Sequence, residues 1–165
     1  SPELDPNKIP VVVDTVRANR VRGAVAEYPL DVDGTSLKLT FISMGNPHAV
    51  AFLDDPVDKF PLHRIGPLVE HHPMFPKGVN FEVVNVENKG RLRARVWERG
   101  SGETLACGTG ACGVAVAAQL LGLSNDIVDI MLPGGVLNIT WDGAGEVYME
   151  GDAVEVFEGE WEWEI

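Results

Sequence analysis

Apolar and polar positions alternate along much of this chain, and the alternation predicts strands. Leu37, Leu39 and Phe41 alternate with Lys38 and Thr40, the period-two pattern of a half-buried strand, which runs into a loop at residues 43–47. Residues 81–86 and 92–97 repeat the pattern, and Lys89-Gly90 between them supplies the turn of an antiparallel hairpin. Arg91, Arg93 and Arg95 then share one face of the second strand, expected to be wet. Short strands are also predicted at residues 127–132, 136–141, 146–150 and 153–157, separated by Pro133-Gly134-Gly135, Asp142-Gly143 and Gly151-Asp152. Val11, Val12 and Val13 open a further β-type run, after residues 1–8 that read as a linker, so the domain is expected over residues 9–165.

One segment breaks the alternation decisively. Residues 111–123 are apolar nearly all round, with Gln119 their only strongly polar side chain, and such a helix belongs inside the molecule. Residues 55–76 contain five prolines and the adjacent His71 and His72, with one short helix at 62–70, and read as a surface excursion. The architecture that follows is α+β: mostly antiparallel strands around one buried helix.

Composition narrows the function classes. With 165 residues, 45% of them apolar, the chain has the size of one ordinary domain with its own core. No apolar run approaches the roughly 18 to 20 residues that span a bilayer, and residues 1–7 lack the basic and apolar parts of a signal peptide, so a cytoplasmic location is expected. The net charge of -12 is concentrated C-terminally, because all 13 Lys and Arg residues precede Gly100. A chain with that field repels phosphate backbones, which disfavours nucleic acid as a partner. The two cysteines, Cys107 and Cys112, are badly placed for a disulfide at five residues apart near a helix start, and a reducing compartment fits. His63, His71 and His72 show no regular ligand spacing, and no metal is assigned to them.

The chemistry concentrates between Glu98 and Ala111. Here a strand end, a flexible turn and the thiol of Cys107 precede Gly108-Thr109-Gly110 and the start of the apolar helix. Helix N-termini present unpaired N–H groups and partial positive charge, so these glycines can cradle a carboxylate or phosphate. The same field is expected to lower the thiol's pKa and suit Cys107 to proton abstraction or nucleophilic attack. Gly108 to Gly113 also satisfies the G-x-G-x-x-G dinucleotide fingerprint, with Asp126 or Asp129 about 20 residues on. The preceding residues 102–105 form no buried parallel strand, which argues against a nicotinamide or flavin site.

The stretch Glu98-Arg99-Gly-Ser-Gly-Glu-Thr-Leu-Ala-Cys107-Gly-Thr-Gly-Ala-Cys112 resembles the signature around the second catalytic cysteine of the diaminopimelate epimerase family. Met44-Gly45-Asn46-Pro47-His48 resembles the family's M-G-N-P-H loop, and Phe75-Pro76 followed by Val79-Asn80-Phe81 resembles its second asparagine segment. Similar stretches, such as Leu132-Pro133-Gly134-Gly135, extend the likeness from about Ile9 to Gly159.

The resemblance implies a barrel-like sheet around a central helix, one of two pseudo-symmetric domains that form an active-site cleft between them. It also implies a cofactor-independent isomerase interconverting LL- and meso-diaminopimelate, in which one cysteine takes the α-proton and another returns a proton from the opposite face. Carried over by motif, Cys107 is an acid/base thiol tuned by His48 and Glu98. Asn46, Asn80, Glu98, Arg99 and the N–H groups of Gly108 and Thr109 bind the substrate. Thr109, often serine in the family, is a mild departure. Cys112, on the same helix as Cys107, cannot supply the second acid/base group, and a small buried hydrophobe is its expected role. The family's N-terminal half, which carries the other cysteine, has no counterpart in these residues, so the chain is expected to need that half as its partner and to be inactive alone. Family members are commonly homodimers. Another isomerase of the same superfamily, proline racemase-like or phenazine-biosynthesis-like, and a non-catalytic amino-acid-binding module are the alternatives.

Overall fold

The protein is described from a computed structural model covering residues 1–14 and 17–162. Among the described residues there are eleven strands, two α-helices and one short 3-10 helix at Val57–Lys59. β1 (Asn19–Val21) and β2 (Ala24–Ala26) pair as a small ribbon. The main sheet comprises β3 (Tyr28–Val32), β4 (Thr35–Ser43), β5 (Pro47–Phe52), β6 (Asn80–Asn88), β7 (Arg91–Glu98), β8 (Gly102–Thr104), β9 (Ile127–Leu132), β10 (Gly135–Thr140) and β11 (Tyr148–Gly151). Helix α1 spans Leu62–Glu70 and α2 spans Gly108–Leu120. Along the sheet the order is β11-β10-β9-β7-β6-β5-β4-β3, with β8 on the remaining length of β7.

The pairing is mostly antiparallel, as expected, with two exceptions: β5 pairs parallel with β6 and β7 parallel with β9. Parallel neighbours need a long crossover, usually through a helix. The two helices lie in these two connections, α1 between β5 and β6, α2 between β7 and β9. They serve two separate cores. Ile42, Val50, Val84 and Leu92 pack with Ala111, Val114, Ala118 and the rest of α2, while Leu39, Phe41, Phe81 and Val83 pack with Leu62, Ile65 and Val69 of α1. Alternate residues of β4 and β6 therefore face opposite helices, which is why these strands are buried on both sides. Full burial of a side chain such as Phe41 or Phe81 contributes about 1.5–3 kcal/mol.

This topology corrects three sequence expectations. Residues 55–76 are not a surface excursion: as a crossover they must cover a sheet face, and they bury Val57, Leu62, Ile65, Val69, Met74 and Phe75. The sheet does not close around one central helix, for β3 and β11 stand at its two ends and a second helix covers a second core. Arg95 is not a wet residue. Its guanidinium is bidentate on Glu103 at 2.8 and 3.1 Å and caps the carbonyls of Val57 and Phe60.

Two predicted strands are also missing. Val11, Val12 and Val13 have no strand partner among the described residues, although the N–H of Val12 donates to the Met74 carbonyl. Residues 153–157 alternate as a strand should, yet they are exposed and form no ladder with any described residue. Near the start of the chain, Glu3 bridges Ser43 through two backbone hydrogen bonds, 2.8 and 3.0 Å. No helix among the described residues is long and apolar enough to cross a membrane.

Candidate active site

Three strands and one helix bring their ends together. β5 and β6 both begin here, with His48 in register with Asn80; antiparallel β7 ends here at Glu98; and α2 begins here at Gly108. The loop before β5 turns on Gly45, whose φ of 95 suits glycine, and delivers Asn46 toward α2.

Cys107 is the N-cap of α2. Its sulphur accepts from the N–H of Gly110 at 3.3 Å, the role usually taken by a Ser, Thr or Asp oxygen. The N–H groups of Gly108 and Thr109, in the first turn, lie beyond the reach of intrahelical acceptors and are available to an anion. Thr109 is exposed, Gly108 half-buried, and Cys107 only 7% exposed.

A continuous set of hydrogen bonds ends on that sulphur. Glu82 Oε1 lies 2.7 Å from His48 Nδ1, and His48 Nε2 lies 3.0 Å from Asn46 Oδ1. The Asn46 amide donates to Thr109 Oγ1 at 3.2 Å, and the Thr109 hydroxyl is 3.6 Å from Cys107 Sγ. His48 and Glu82 are 0% and 1% exposed. The glycines of α2 make this burial possible. A Cβ on Gly110 would meet Glu82 Oε1 at 3.0 Å and Cys107 Sγ at 3.2 Å, and one on Gly113 would meet the His48 ring at 3.4 Å. Two of the glycines behind the dinucleotide fingerprint are thus spaced for a carboxyl and an imidazole of the protein itself. The strand before them, β8, is a three-residue antiparallel edge, unlike a nucleotide-binding turn.

The remaining sequence candidates surround this line. Asn80 is 3% exposed, donates to the Pro47 carbonyl at 2.9 Å and accepts from the Arg99 N–H at 3.0 Å, so it ties β5 to the end of β7. Glu98 accepts from the Thr104 hydroxyl at 2.5 Å. Arg99 is exposed at the rim, where one guanidinium nitrogen donates to the Lys77 carbonyl. Cys112 lies in the core around α2. Among the described residues, no group of three or more His, Cys, Asp or Glu is arranged to hold a metal ion.

Burial overturns the expectation of a lowered thiol pKa. It pushes the Cys107 thiol up, against the hydrogen bonds from Thr109 and Gly110, and negative charge on the nearby Glu82 or Glu98 pushes the same way. Burial thus favours the protonated form of Cys107.

Two residues were missed. Glu82 sits within the apolar run Phe81-Glu82-Val83-Val84, and a carboxyl on the same strand face as a core valine is the signal that could have found it. Glu70 was hidden in the supposed excursion. It is 5% exposed, accepting from Trp97 Nε1 at 2.7 Å and from the Gly100 N–H at 2.8 Å, and it thereby fixes the turn that follows Arg99.

Burial also holds the Glu82 carboxyl above the ordinary glutamate range, despite the opposing pull of His48. The folded state then binds this proton more tightly than the unfolded chain. The associated stability is fully present below the ordinary glutamate range and is lost as pH rises through the folded value. Urea unfolding as a function of pH is expected to show a loss of up to about 1.4 kcal/mol per pH unit in that window, a slope absent from Glu82→Gln. An identical slope in both proteins would assign it to another group.

Comparison with known proteins places this site in context. The sequence matches the Diaminopimelate epimerase family over residues 40–156. The chain belongs to the diaminopimelate epimerase family. It is 52% identical to the diaminopimelate epimerase of Desulfovibrio desulfuricans over 161 residues, covering 97% of this chain and 55% of that protein. The diaminopimelate epimerase of Acetivibrio thermocellus is 50% identical over 160 residues, covering 96% and 54% respectively. The chain thus spans about half the length of the curated relatives it matches. Among solved structures, a phenazine biosynthesis protein of the PhzF family from Bacillus anthracis aligns with a TM-score of 0.48 and 23% identity, covering 65% of this chain and 34% of that one.

Proposed function

We propose that this chain is one domain of a cofactor-independent epimerase acting on diaminopimelate, and that Cys107 is one of its two acid/base thiols. The observation that carries this reading is the placement of Cys107 as the N-cap of α2, with a hydrogen-bonded line running from the buried Glu82 and His48 through Asn46 and Thr109 to its sulphur, and free N–H groups beside it. A thiol there meets the α-carbon of an amino acid whose carboxylate sits on Gly108 and Thr109.

The α-proton of an amino acid is weakly acidic, so its removal needs a base on one face and an acid on the other, with water excluded. Burial favours the protonated form of Cys107, which suits it to give a proton to the carbanion-like centre while a second thiol abstracts one. In the reverse direction the two exchange roles. The N–H groups at the start of α2 stabilise charge spreading into the carboxylate. Arg99, exposed at the rim, pairs with the distal carboxylate through a planar bidentate fork. Asn46 and Asn80 keep unfilled hydrogen-bonding capacity for the substrate beyond the partners they hold in the protein. Glu98 lies close enough to raise the Cys107 thiol, and binds the substrate ammonium.

The second thiol is proposed to come from outside this chain, on the domain that occupies the other half of the relatives' length. Cys112 does not supply it, being in the core on the same helix as Cys107. The complete enzyme is proposed to be a cytoplasmic homodimer. Incubation with LL-diaminopimelate in deuterium oxide tests the reading. The chain joined to a domain bearing the second thiol is expected to form the meso isomer with deuterium at the α-carbon, and this chain alone to form neither. Exchange by the chain alone would sink the two-thiol mechanism.

A further inference from the structure

We propose that Glu82 is a positioning residue which, as a neutral carboxylic acid, donates to His48 Nδ1 and thereby sets the direction of a hydrogen-bond relay ending on the Cys107 sulphur. Its catalytic consequence rests on the reading of Cys107 as an acid/base thiol; the proton assignment itself does not.

The direction follows from counting donors. Asn46 has its amide nitrogen on Thr109 Oγ1 and its carbonyl oxygen on His48 Nε2. A carboxamide oxygen can only accept, so Nε2 carries hydrogen. In a neutral imidazole, Nδ1 is then an acceptor, and an ionised Glu82 at 2.7 Å would set lone pair against lone pair. A proton therefore lies between them, on Glu82 or on Nδ1. Both residues are fully buried, and Glu82 Oε2 has no hydrogen-bond partner among the described residues. A desolvated ion pair needs its remaining lone pairs satisfied, and this one leaves an oxygen bare. The neutral pair avoids that cost, in accord with the upward push of burial on the Glu82 carboxyl.

With the proton on Glu82, every link donates the same way. Glu82 donates to His48, His48 to Asn46, Asn46 to Thr109, and the Thr109 hydroxyl, having accepted from Asn46, turns its hydrogen to Cys107 Sγ. Aligned donors polarise one another, so the last bond favours negative charge on sulphur when Cys107 gives up its proton. The titratable groups facing Glu82 are His48 on β5, Cys107 at the head of α2 and Glu98 on β7. Glu82 Oε1 and Cys107 Sγ both lie near the point a Gly110 Cβ would occupy, within roughly 6 Å of each other, close enough for an ionised carboxylate to oppose a thiolate. A neutral Glu82 removes that opposition.

The test is 15N NMR of the His48 ring at neutral pH, combined with steady-state kinetics of the two-domain enzyme. In the wild type, Nε2 is expected to be protonated and Nδ1 bare. Glu82→Gln, whose amide can still donate to Nδ1, should keep that tautomer and stay within a few-fold of wild-type kcat. Glu82→Met, similar in length but with no donor, should give a mixture of tautomers and lose roughly tenfold or more in kcat with KM little changed. Two protonated ring nitrogens, or protonation at Nδ1 alone, would overturn the proposal, as would full kcat in Glu82→Met. If instead Cys107→Ala retained exchange while His48 kept the expected tautomer, the epimerase reading would fail and the proton assignment would stand.

Discussion

Replacing Cys107 with alanine is expected to reduce α-proton exchange by the two-domain enzyme about 100- to 10,000-fold, the usual contribution of a positioned acid or base. Alanine keeps the backbone of the N-cap and removes only the sulphur, which accepts one hydrogen bond from Gly110 and lies near the Thr109 hydroxyl. The loss of a cap costs about 1 kcal/mol of helix stability, far too little to unfold a helix whose residues from Gly110 to Ala118 are all buried. Activity and stability should therefore separate: exchange nearly lost, urea midpoint slightly lowered. Cys112→Ala should do the reverse, leaving exchange intact while thinning the core around α2. If the Cys112 variant lost exchange and the Cys107 variant kept it, the assignment of the thiol would be wrong. Substrate affinity in Cys107→Ala should change little, because the N–H groups of Gly108 and Thr109 remain.

Much of this arrangement is legible in the sequence. Alternation located β4, the β6–β7 hairpin and β9, and the unbroken apolar run located α2 to within three residues at each end. Local pattern cannot report pairing between distant segments. The parallel β5–β6 and β7–β9 ladders were therefore invisible, and with them the second core that turns residues 55–76 inward. Alternation is also not sufficient for a strand. Residues 153–157 have the pattern, but a strand needs a ladder to satisfy its backbone, and they have none among the described residues.

The site was legible as a set of residues and less so as a network. The motifs brought forward Asn46, His48, Asn80, Glu98, Arg99 and Cys107, and the fold gathers them at one end of the sheet. The sequence also showed that Cys107 heads a helix, but not that it is buried, and burial pushes its thiol up. Glu82 escaped because a lone acidic residue on a strand normally faces water, whereas here its strand is covered on both sides.

Gly66→Ala is expected to destabilise the protein by roughly 2 kcal/mol or more, against the general rule that alanine improves a helix by about 1 kcal/mol over glycine. Gly66 lies in α1, and a Cβ there would stand 2.5 Å from Cδ2 and 2.6 Å from Cγ of Trp97. These atoms belong to the rigid body of the indole, so no side-chain end can swing aside. The ring is also held in place, since Nε1 donates to Glu70 Oε2 while Glu70 Oε1 takes the N–H of Gly100. Relief requires α1 to move off β7 or the indole to rotate, and either motion strains the Glu70 hydrogen bonds. A buried carboxylate oxygen left unpaired adds about 1–3 kcal/mol, so overpacking and lost pairing together outweigh the gain in helix propensity. The same displacement loosens the turn after Arg99. A fall in kcat/KM should therefore accompany the lower urea midpoint, even though Gly66 makes no hydrogen bond to the line of side chains ending at Cys107. Unchanged or raised stability in Gly66→Ala would mean that helix and indole are not in the close contact described, and that Glu70 does not couple α1 to the site.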